Sequence, residues 1–162
     1  MSKTDVFLAN NQRYAETFTG RLPRRPSAGV AVVACMDARL DVFAVLGLKA
    51  GEANVIRNAG GVVTDSEIRS LAISQRVLGT TEIILIRHTD CGMMTFTDEW
   101  FKDHLEEAAG IRPTWPAEAF TNLDDDVRAS IRRIKASPFI PRRDAVRGFV
   151  FDVGTGSLRE VR

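Results

Sequence analysis

The sequence predicts an α/β fold: a mostly parallel four-stranded sheet with an antiparallel edge strand, flanked by helices. Short apolar runs rich in valine and isoleucine alternate along the chain with segments of helical periodicity. Such alternation favours a parallel sheet built with right-handed crossovers. Near the end of the chain, an alternating segment, a Gly-Thr-Gly turn and a short return predict the antiparallel edge.

The first predicted element is an amphipathic helix at residues 4–19, ahead of the first core strand. Val6, Phe7 and Tyr14 lie near helical spacing, and two prolines mark the loop that follows. A helix in this position is free to pack on another subunit. We therefore expect residues 1–20 to contact a partner chain.

The next elements alternate between strand and helix. We expect strand one at 29–34, a short helix at 41–46 and strand two at 53–57. The segment Asn58-Ala59-Gly60-Gly61 follows strand two, where that strand should end. Glycines at such a point allow a positive φ or a close approach of the backbone, although a simple turn explains them equally well.

A capping-box pattern predicts the start of the following helix. Thr64 is the predicted N-cap, Glu67 stands three residues on, and the helix is expected to run to Leu78. Strand three should cover 82–87. Three aspartates near residue 125 suit the positive end of a helix dipole, so we assign them to a helix rather than to a metal. The remaining predicted elements are helices at 97–109 and 123–136 and strands at 147–153 and 157–161.

Length and composition narrow the functional class. The 162 residues, of which 44% are hydrophobic and 27% charged, are typical of one globular domain spanning 1–162. A net charge of +1 gives no excess of positive charge of the kind that binds nucleic acid or an anionic membrane. The chain shows neither an apolar run long enough to span a membrane nor a secretory signal, so we expect a cytoplasmic protein.

The predicted topology brings three reactive side chains to one crevice. Cys35 ends strand one, and His88 and Cys91 follow strand three. If strand two lies on one side of strand one and strand three on the other, the chain reverses direction between strands one and three. Ligands of open α/β sheets bind at this reversal, beyond the carboxyl ends of the strands.

Two thiolates and one imidazole suit a zinc ion with an open fourth position, which is the catalytic pattern. Taken singly, each cysteine fits equally a small buried apolar residue, and the histidine a satisfied loop residue. The cysteines could also form a disulfide, but nothing in the sequence indicates an oxidising compartment. The meeting of all three residues at one crevice favours zinc.

Asp37 is a fourth candidate ligand, and Arg39 lies two residues further on. Bound to zinc, Asp37 would close the open position. Paired with Arg39, it would leave that position to water. An ordinary surface ion pair, worth about 0–1 kcal/mol, is the simpler alternative.

Three segments together resemble the signature segments of the β-class carbonic anhydrases, in both order and spacing. The C-terminal residues 148–161 also resemble the closing strands of that family, and the short length is most similar to its prokaryotic branch. The three segments are Cys35-Met36-Asp37-Ala38-Arg39, Arg57-Asn58-Ala59-Gly60-Gly61 and His88-Thr89-Asp90-Cys91-Gly92.

The resemblance implies that Cys35, His88 and Cys91 hold Zn²⁺. It implies that Asp37, fixed by Arg39, accepts a hydrogen bond from zinc-bound hydroxide, which attacks CO₂ to form bicarbonate and a proton. In some relatives the aspartate instead binds zinc and gives an inactive, closed form.

The resemblance also implies a homodimer or a larger even-numbered oligomer. Gly60 and Gly92 are expected to admit the substrate near the metal because they lack side chains. The plant-like branch of the family carries a glutamine shortly before its first zinc cysteine, and no glutamine occurs here in residues 23–34. The motifs also have no second histidine nearby that would serve as a proton shuttle. The remaining histidine, His104, lies in a predicted acidic helix.

Two alternatives stay open at the level of sequence. Carbonyl sulfide and carbon disulfide are small, linear and apolar like CO₂, so a hydrolase of either substrate fits the same motifs. A non-catalytic zinc-binding protein is the other alternative. The intact Asp37 and Arg39 argue against it, because a structural zinc site needs neither.

Overall fold

A five-stranded sheet organises the computed structural model, which describes residues 2–162. The strand order is β2-β1-β3-β4-β5, with β1, β2, β3 and β4 parallel and β4 and β5 antiparallel. This confirms the predicted fold class. The strands are β1 (Val30–Cys35), β2 (Ala53–Asn58), β3 (Glu82–His88), β4 (Val146–Phe151) and β5 (Leu158–Val161).

The reversal of chain direction lies where the sequence predicted it. Strand β2 pairs with one side of β1 and β3 pairs with the other. Strands β1 and β3 are almost wholly buried, because helices and loops cover both faces of the sheet. Their carboxyl ends, Cys35 and His88, therefore open into the same crevice.

Residues 2–162 form five helices, at the predicted places in the chain. Their bounds are α1 (Lys3–Glu16), α2 (Val42–Leu46), α3 (Asp65–Arg76), α4 (Asp98–Ala109) and α5 (Leu123–Ala136). Helix α1 does not pack on the sheet. Helix α3 stops before Leu78, the residue at which we expected its end. The amide of Leu78 donates to the carbonyl of Ile73, five residues back, which interrupts the helical ladder, and Gly79 then adopts a φ of +75°.

The local signals for helix ends are confirmed by their hydrogen bonds. Thr64 and Glu67 form the predicted capping box at the start of α3. Asp41 caps α2 and Gly47 ends that helix in the left-handed conformation. Two short 3-10 turns lie beyond strand ends in the crevice: the glycine turn, Ala59–Gly61, follows β2, and Gly92–Met94 follows the loop after β3.

The apolar core forms two layers, one on each face of the sheet. Helices α3 and α5 cover one face, with Leu71 and Ile134 fully buried. On the other face, α2 packs together with the loop residues around Met93, and this layer includes both Cys35 and Cys91. Residues of this packed layer, among them Cys35, Cys91 and Met93, therefore bound the crevice. Within residues 2–162, no helix combines the length and the hydropathy that a membrane span requires.

Candidate metal centre and substrate pocket

The structure brings Cys35, His88 and Cys91 together at the carboxyl ends of β1 and β3. One donor atom of each residue, the two sulfurs and a ring nitrogen, lies within 4.8 Å of the others, and all three residues are buried. Cys35 and His88 are the last residues of the neighbouring parallel strands β1 and β3, and the tight loop after His88 returns Cys91 to them. The group therefore has the composition and spacing of a metal site.

The hydrogen bonding of His88 leaves one ring nitrogen free for a metal. Its Nδ1 lies 2.9 Å from the carbonyl oxygen of Thr89, so Nδ1 carries the proton and donates it. Its Nε2 is buried and has no hydrogen-bond partner among residues 2–162. A buried nitrogen without a partner is costly, and a cation bound to its lone pair removes that cost.

The two thiols lie close enough to shift each other's pKa in opposite directions. A hydrogen bond from the Cys91 thiol lowers the pKa of Cys35, and sharing that proton, together with burial, raises the pKa of Cys91. The pair thus holds negative charge on sulfur beside the free nitrogen of His88. Soft sulfur and imidazole donors of this kind fit zinc.

Asp37 lies beside this group and is held by Arg39. Its Oδ1 accepts from the Arg39 Nε at 2.9 Å and its Oδ2 from the Arg39 Nη2 at 2.8 Å. Side-chain and backbone hydrogen bonds from Arg39 hold the pKa of Asp37 well below its usual range. The Oδ2 atom lies 3.7 Å from the free Nε2 of His88, so the ionised carboxylate faces the Cys–His–Cys group.

Asp90 joins the two loops that carry the site, a role that sequence reasoning missed. The carboxylate of Asp90 accepts from Arg39 at 2.7 Å and its backbone carbonyl accepts at 2.9 Å. Asp90 adopts a positive φ of 53°, which aspartate tolerates better than most residues. Arg39 consequently links Asp37, in the loop after β1, to the loop after β3.

Arg57 is a second residue whose role was not predicted. It occurs in the second signature segment, and its guanidinium donates to the carbonyl of Cys35 at 2.9 and 2.6 Å and to the carbonyl of Asp37 at 2.8 Å. These bonds brace the backbone that carries Cys35 and Asp37. Its place in the second signature segment, two residues before the glycine turn, was the available signal.

A largely apolar cavity of about 280 Å³ opens onto the site. Both glycines predicted to face the substrate, Gly60 and Gly92, line it. A β-carbon on Gly60 would lie 3.0 Å from Phe120 and 3.1 Å from Met93, whereas one on Gly92 would meet nothing within 4 Å. The full lining is Cys35, Met36, Asp37, Ala59, Gly60, Cys91, Gly92, Met93 and Phe96.

The apolar wall was also missed at the level of sequence. Met93 is buried and Phe96 half-buried, and both follow Cys91 closely in the chain, which was the available signal. Phe120, from the loop after α4, approaches Gly60 from a part of the chain with no motif. His104 is exposed and stacks on Trp100, with ring centroids 5.3 Å apart.

Fold and site together define an α/β protein with a buried Cys–His–Cys group, able to hold a metal ion, beside a small apolar pocket. The family model described as carbonic anhydrase matches residues 30–158. Beta-carbonic anhydrase 1 of Mycobacterium tuberculosis is 61% identical over 161 residues, covering 99% of each chain. A carbonic anhydrase from Streptococcus mutans superimposes with a TM-score of 0.94 at 44% identity, covering 100% of this chain and 99% of that one.

The chain therefore belongs to the β-class carbonic anhydrases, a family of enzymes. A more distant relative is named for a different activity. The carbon disulfide hydrolase of Saccharolobus solfataricus is 36% identical over 153 residues, covering 80% of this chain and 75% of its own length.

Proposed function

We propose that this protein binds zinc through Cys35, His88 and Cys91 and catalyses the reversible hydration of CO₂ to bicarbonate and a proton. The observation that carries the proposal is the placement of Asp37. Both of its carboxylate oxygens are held by Arg39, and Oδ2 still faces the free ring nitrogen of His88 at 3.7 Å. A purely structural metal site does not need an acidic group oriented in this way.

The donor set supports zinc as the metal. Two cysteine sulfurs and the free Nε2 of His88 provide three protein ligands, the number found in catalytic zinc sites. When bound, zinc supplies a Lewis acid that lowers the pKa of water to about 7 in such sites.

The residues around the metal position have separate tasks in this proposal. The Oδ2 atom of Asp37 accepts a hydrogen bond from the attacking water and thereby directs the oxygen lone pair towards the substrate carbon. Arg39 prevents the carboxylate from rotating and keeps it ionised. Met93 and Phe96 provide an apolar wall, which suits a substrate that needs little polar recognition.

Sequence identity and coverage of the relatives favour CO₂ over carbon disulfide as the substrate. The carbonic anhydrase relative matches at 61% identity with 99% of both chains covered, whereas the carbon disulfide hydrolase matches at 36% with 75% of its length covered. Both substrates are linear and apolar, so the pocket itself accepts either. Carbon disulfide hydrolysis is therefore the second candidate.

We further propose that the protein acts in the cytoplasm as a homodimer or larger even-numbered oligomer, with α1 packed on a partner subunit. None of the residues of α1 is buried within one chain. Its apolar side chains include Phe7, which is 66% exposed, and Tyr14, which is 58% exposed. A patch of this kind on one subunit is typical of an interaction surface.

The deciding experiment measures CO₂ hydration by stopped flow on purified protein whose zinc content is known. The same preparation is tested for release of hydrogen sulfide from carbon disulfide. We expect zinc, rapid CO₂ hydration and little sulfide. The variant His88→Ala is the control and should lose zinc and hydration together. Zinc-loaded protein that releases sulfide without hydrating CO₂ would assign the second candidate instead.

A further inference from the structure

Arg87 is the largest fully buried side chain in the described part of the protein, and the proposed reaction does not use it. A buried guanidinium is rare and costly unless it is paired. Arg87 directly precedes the metal-binding His88 on β3. Because side chains alternate along a strand, the two project from opposite faces of the sheet.

The donors of Arg87 are distributed between two elements. Its Nε donates to the carboxylate of Asp126 at 2.5 Å, and its Nη2 donates to the hydroxyl of Ser130 at 2.7 Å, both on α5. Its Nη1 donates to the carbonyl of Gly61 in the glycine turn. A planar guanidinium holds such partners in a fixed mutual geometry, which a flexible ammonium does not.

The glycine turn is confined between Arg87 and the first metal-binding residue. Gly61 adopts a φ of +65°, and a β-carbon there would lie 2.6 Å from the backbone nitrogen of Cys35 and 3.1 Å from Arg87 Nη1. The preceding residue, Gly60, lines the pocket and packs near Met93. The position of this turn consequently determines both the pocket wall and the support of the Cys35 backbone.

We infer that Arg87, oriented by Asp126, is a positioning residue that presses the glycine turn against Cys35 and so fixes one wall of the substrate pocket. This inference rests on the proposed function, since the wall matters only when the pocket receives a substrate. Without the Asp126 carboxylate, the guanidinium keeps the Ser130 hydroxyl on α5 but loses its charged partner, so its bond to Gly61 is less firmly oriented. The turn then relaxes, substrate is held less well, and the metal ligands stay in place.

The test compares two substitutions in the first turn of the same helix. Asp126→Asn removes the carboxylate that orients Arg87 while conserving side-chain size. Asp124→Asn is the matched control, because it removes an equal charge two residues away, from a carboxylate that pairs with Arg159 near the surface. Both are milder than replacing Arg87 itself, which endangers folding.

Three quantities are measured on the zinc-loaded proteins: zinc content, kcat and KM for CO₂ hydration, and hydrogen–deuterium exchange of residues 59–63. For Asp126→Asn we expect exchange in that segment to rise roughly tenfold, as for one lost charge-assisted hydrogen bond. We also expect a KM raised several-fold, with kcat and zinc content kept. Asp124→Asn should change none of these quantities.

Two results would overturn the inference. Asp126→Asn could lower only the melting temperature, with exchange and KM unchanged, which would make the Arg87–Asp126 pair purely structural. Alternatively, both variants could change exchange equally, which would assign the effect to charge at the helix end. Because exchange is read without substrate, the link from Asp126 to the turn is decided even if wild-type protein fails to hydrate CO₂.

Discussion

At the scale of single residues, the chemistry of the site depends on the hydrogen-bond partner of each nitrogen and oxygen atom. His88 directs one nitrogen to the carbonyl of Thr89 and leaves the other without a hydrogen-bond partner among residues 2–162. Both carboxylate oxygens of Asp37 bond to Arg39. Arg39 is itself engaged by Asp90, so the pair belongs to a network and is more than an isolated surface ion pair.

This arrangement predicts that Asp37 can be removed without loss of the metal. We expect Asp37→Ala to keep its zinc, because three other residues supply the donors, and to hydrate CO₂ roughly 10²- to 10⁴-fold more slowly. Metal analysis and stopped-flow rates on one preparation test this. A variant that loses zinc would make Asp37 a ligand, and a wild-type rate would remove its role in orientation.

At the scale of elements, the start of α3 shows how hydrogen bonds offset the cost of burying a charged side chain. Glu67 is only 6% exposed, yet its Oε2 accepts from the Thr64 amide at 2.9 Å and from the Thr64 hydroxyl at 2.6 Å. Burial raises the pKa of Glu67, and the hydrogen bonds from Thr64 outweigh it, so the net pKa lies below its usual value. The ionised carboxylate therefore stabilises the helix start that follows the glycine turn.

The capping box predicts a stability difference that depends on pH. Glu67→Gln should lower the free energy of unfolding by about 1–2 kcal/mol at neutral pH, because an orienting charged acceptor is lost. The folded pKa of Glu67 is below the unfolded value of 4.5, so its stabilisation is complete above that pH and declines as pH falls through the folded pKa. The difference between wild type and variant should shrink accordingly in acid.

Urea unfolding of both proteins at several pH values measures this difference. Glu107→Gln, at an exposed position of α4, makes the same chemical change and should leave stability within about 0.5 kcal/mol of wild type. A wild-type advantage over Glu67→Gln that persists undiminished in strong acid would show that the carboxylate charge does not stabilise the cap.

At the scale of the whole molecule, α1 stands apart from the packed core. It is capped at its start by Ser2 and Asp5 but buries none of its residues. Phe7 and Tyr14 are seven positions apart, so they share one face of the helix, and Glu16 lies on the opposite face. An exposed apolar face on a well-capped helix supports the proposed contact with a second subunit.

Deleting residues 1–20 should therefore reduce the mass of the particle in solution, measured by light scattering after size-exclusion chromatography. Phe7→Ala should weaken assembly in the same direction, because it removes buried apolar area from the proposed contact. Glu16→Ala, on the opposite face, is the control and should keep the wild-type mass. An unchanged mass after the deletion would exclude α1 as an assembly element.

Much of this architecture is determined by the sequence because its signals are local. The apolar runs at β1 and β3 predict buried strands, and the capping box at Thr64 predicts the start of α3 within one residue. The meeting of Cys35 with His88 also follows from sequence, because adjacent parallel strands end at the same edge of a sheet.

The tertiary structure alone decided the contacts between residues far apart in the chain. Nothing in the local pattern indicates that Phe120 approaches Gly60, or that Asp90 shares Arg39 with Asp37. Arginine is ordinarily a surface residue, so composition argues against a buried Arg87 between α5 and the glycine turn. Such contacts depend on how elements pack in three dimensions. Periodicity and spacing along the chain do not predict that packing.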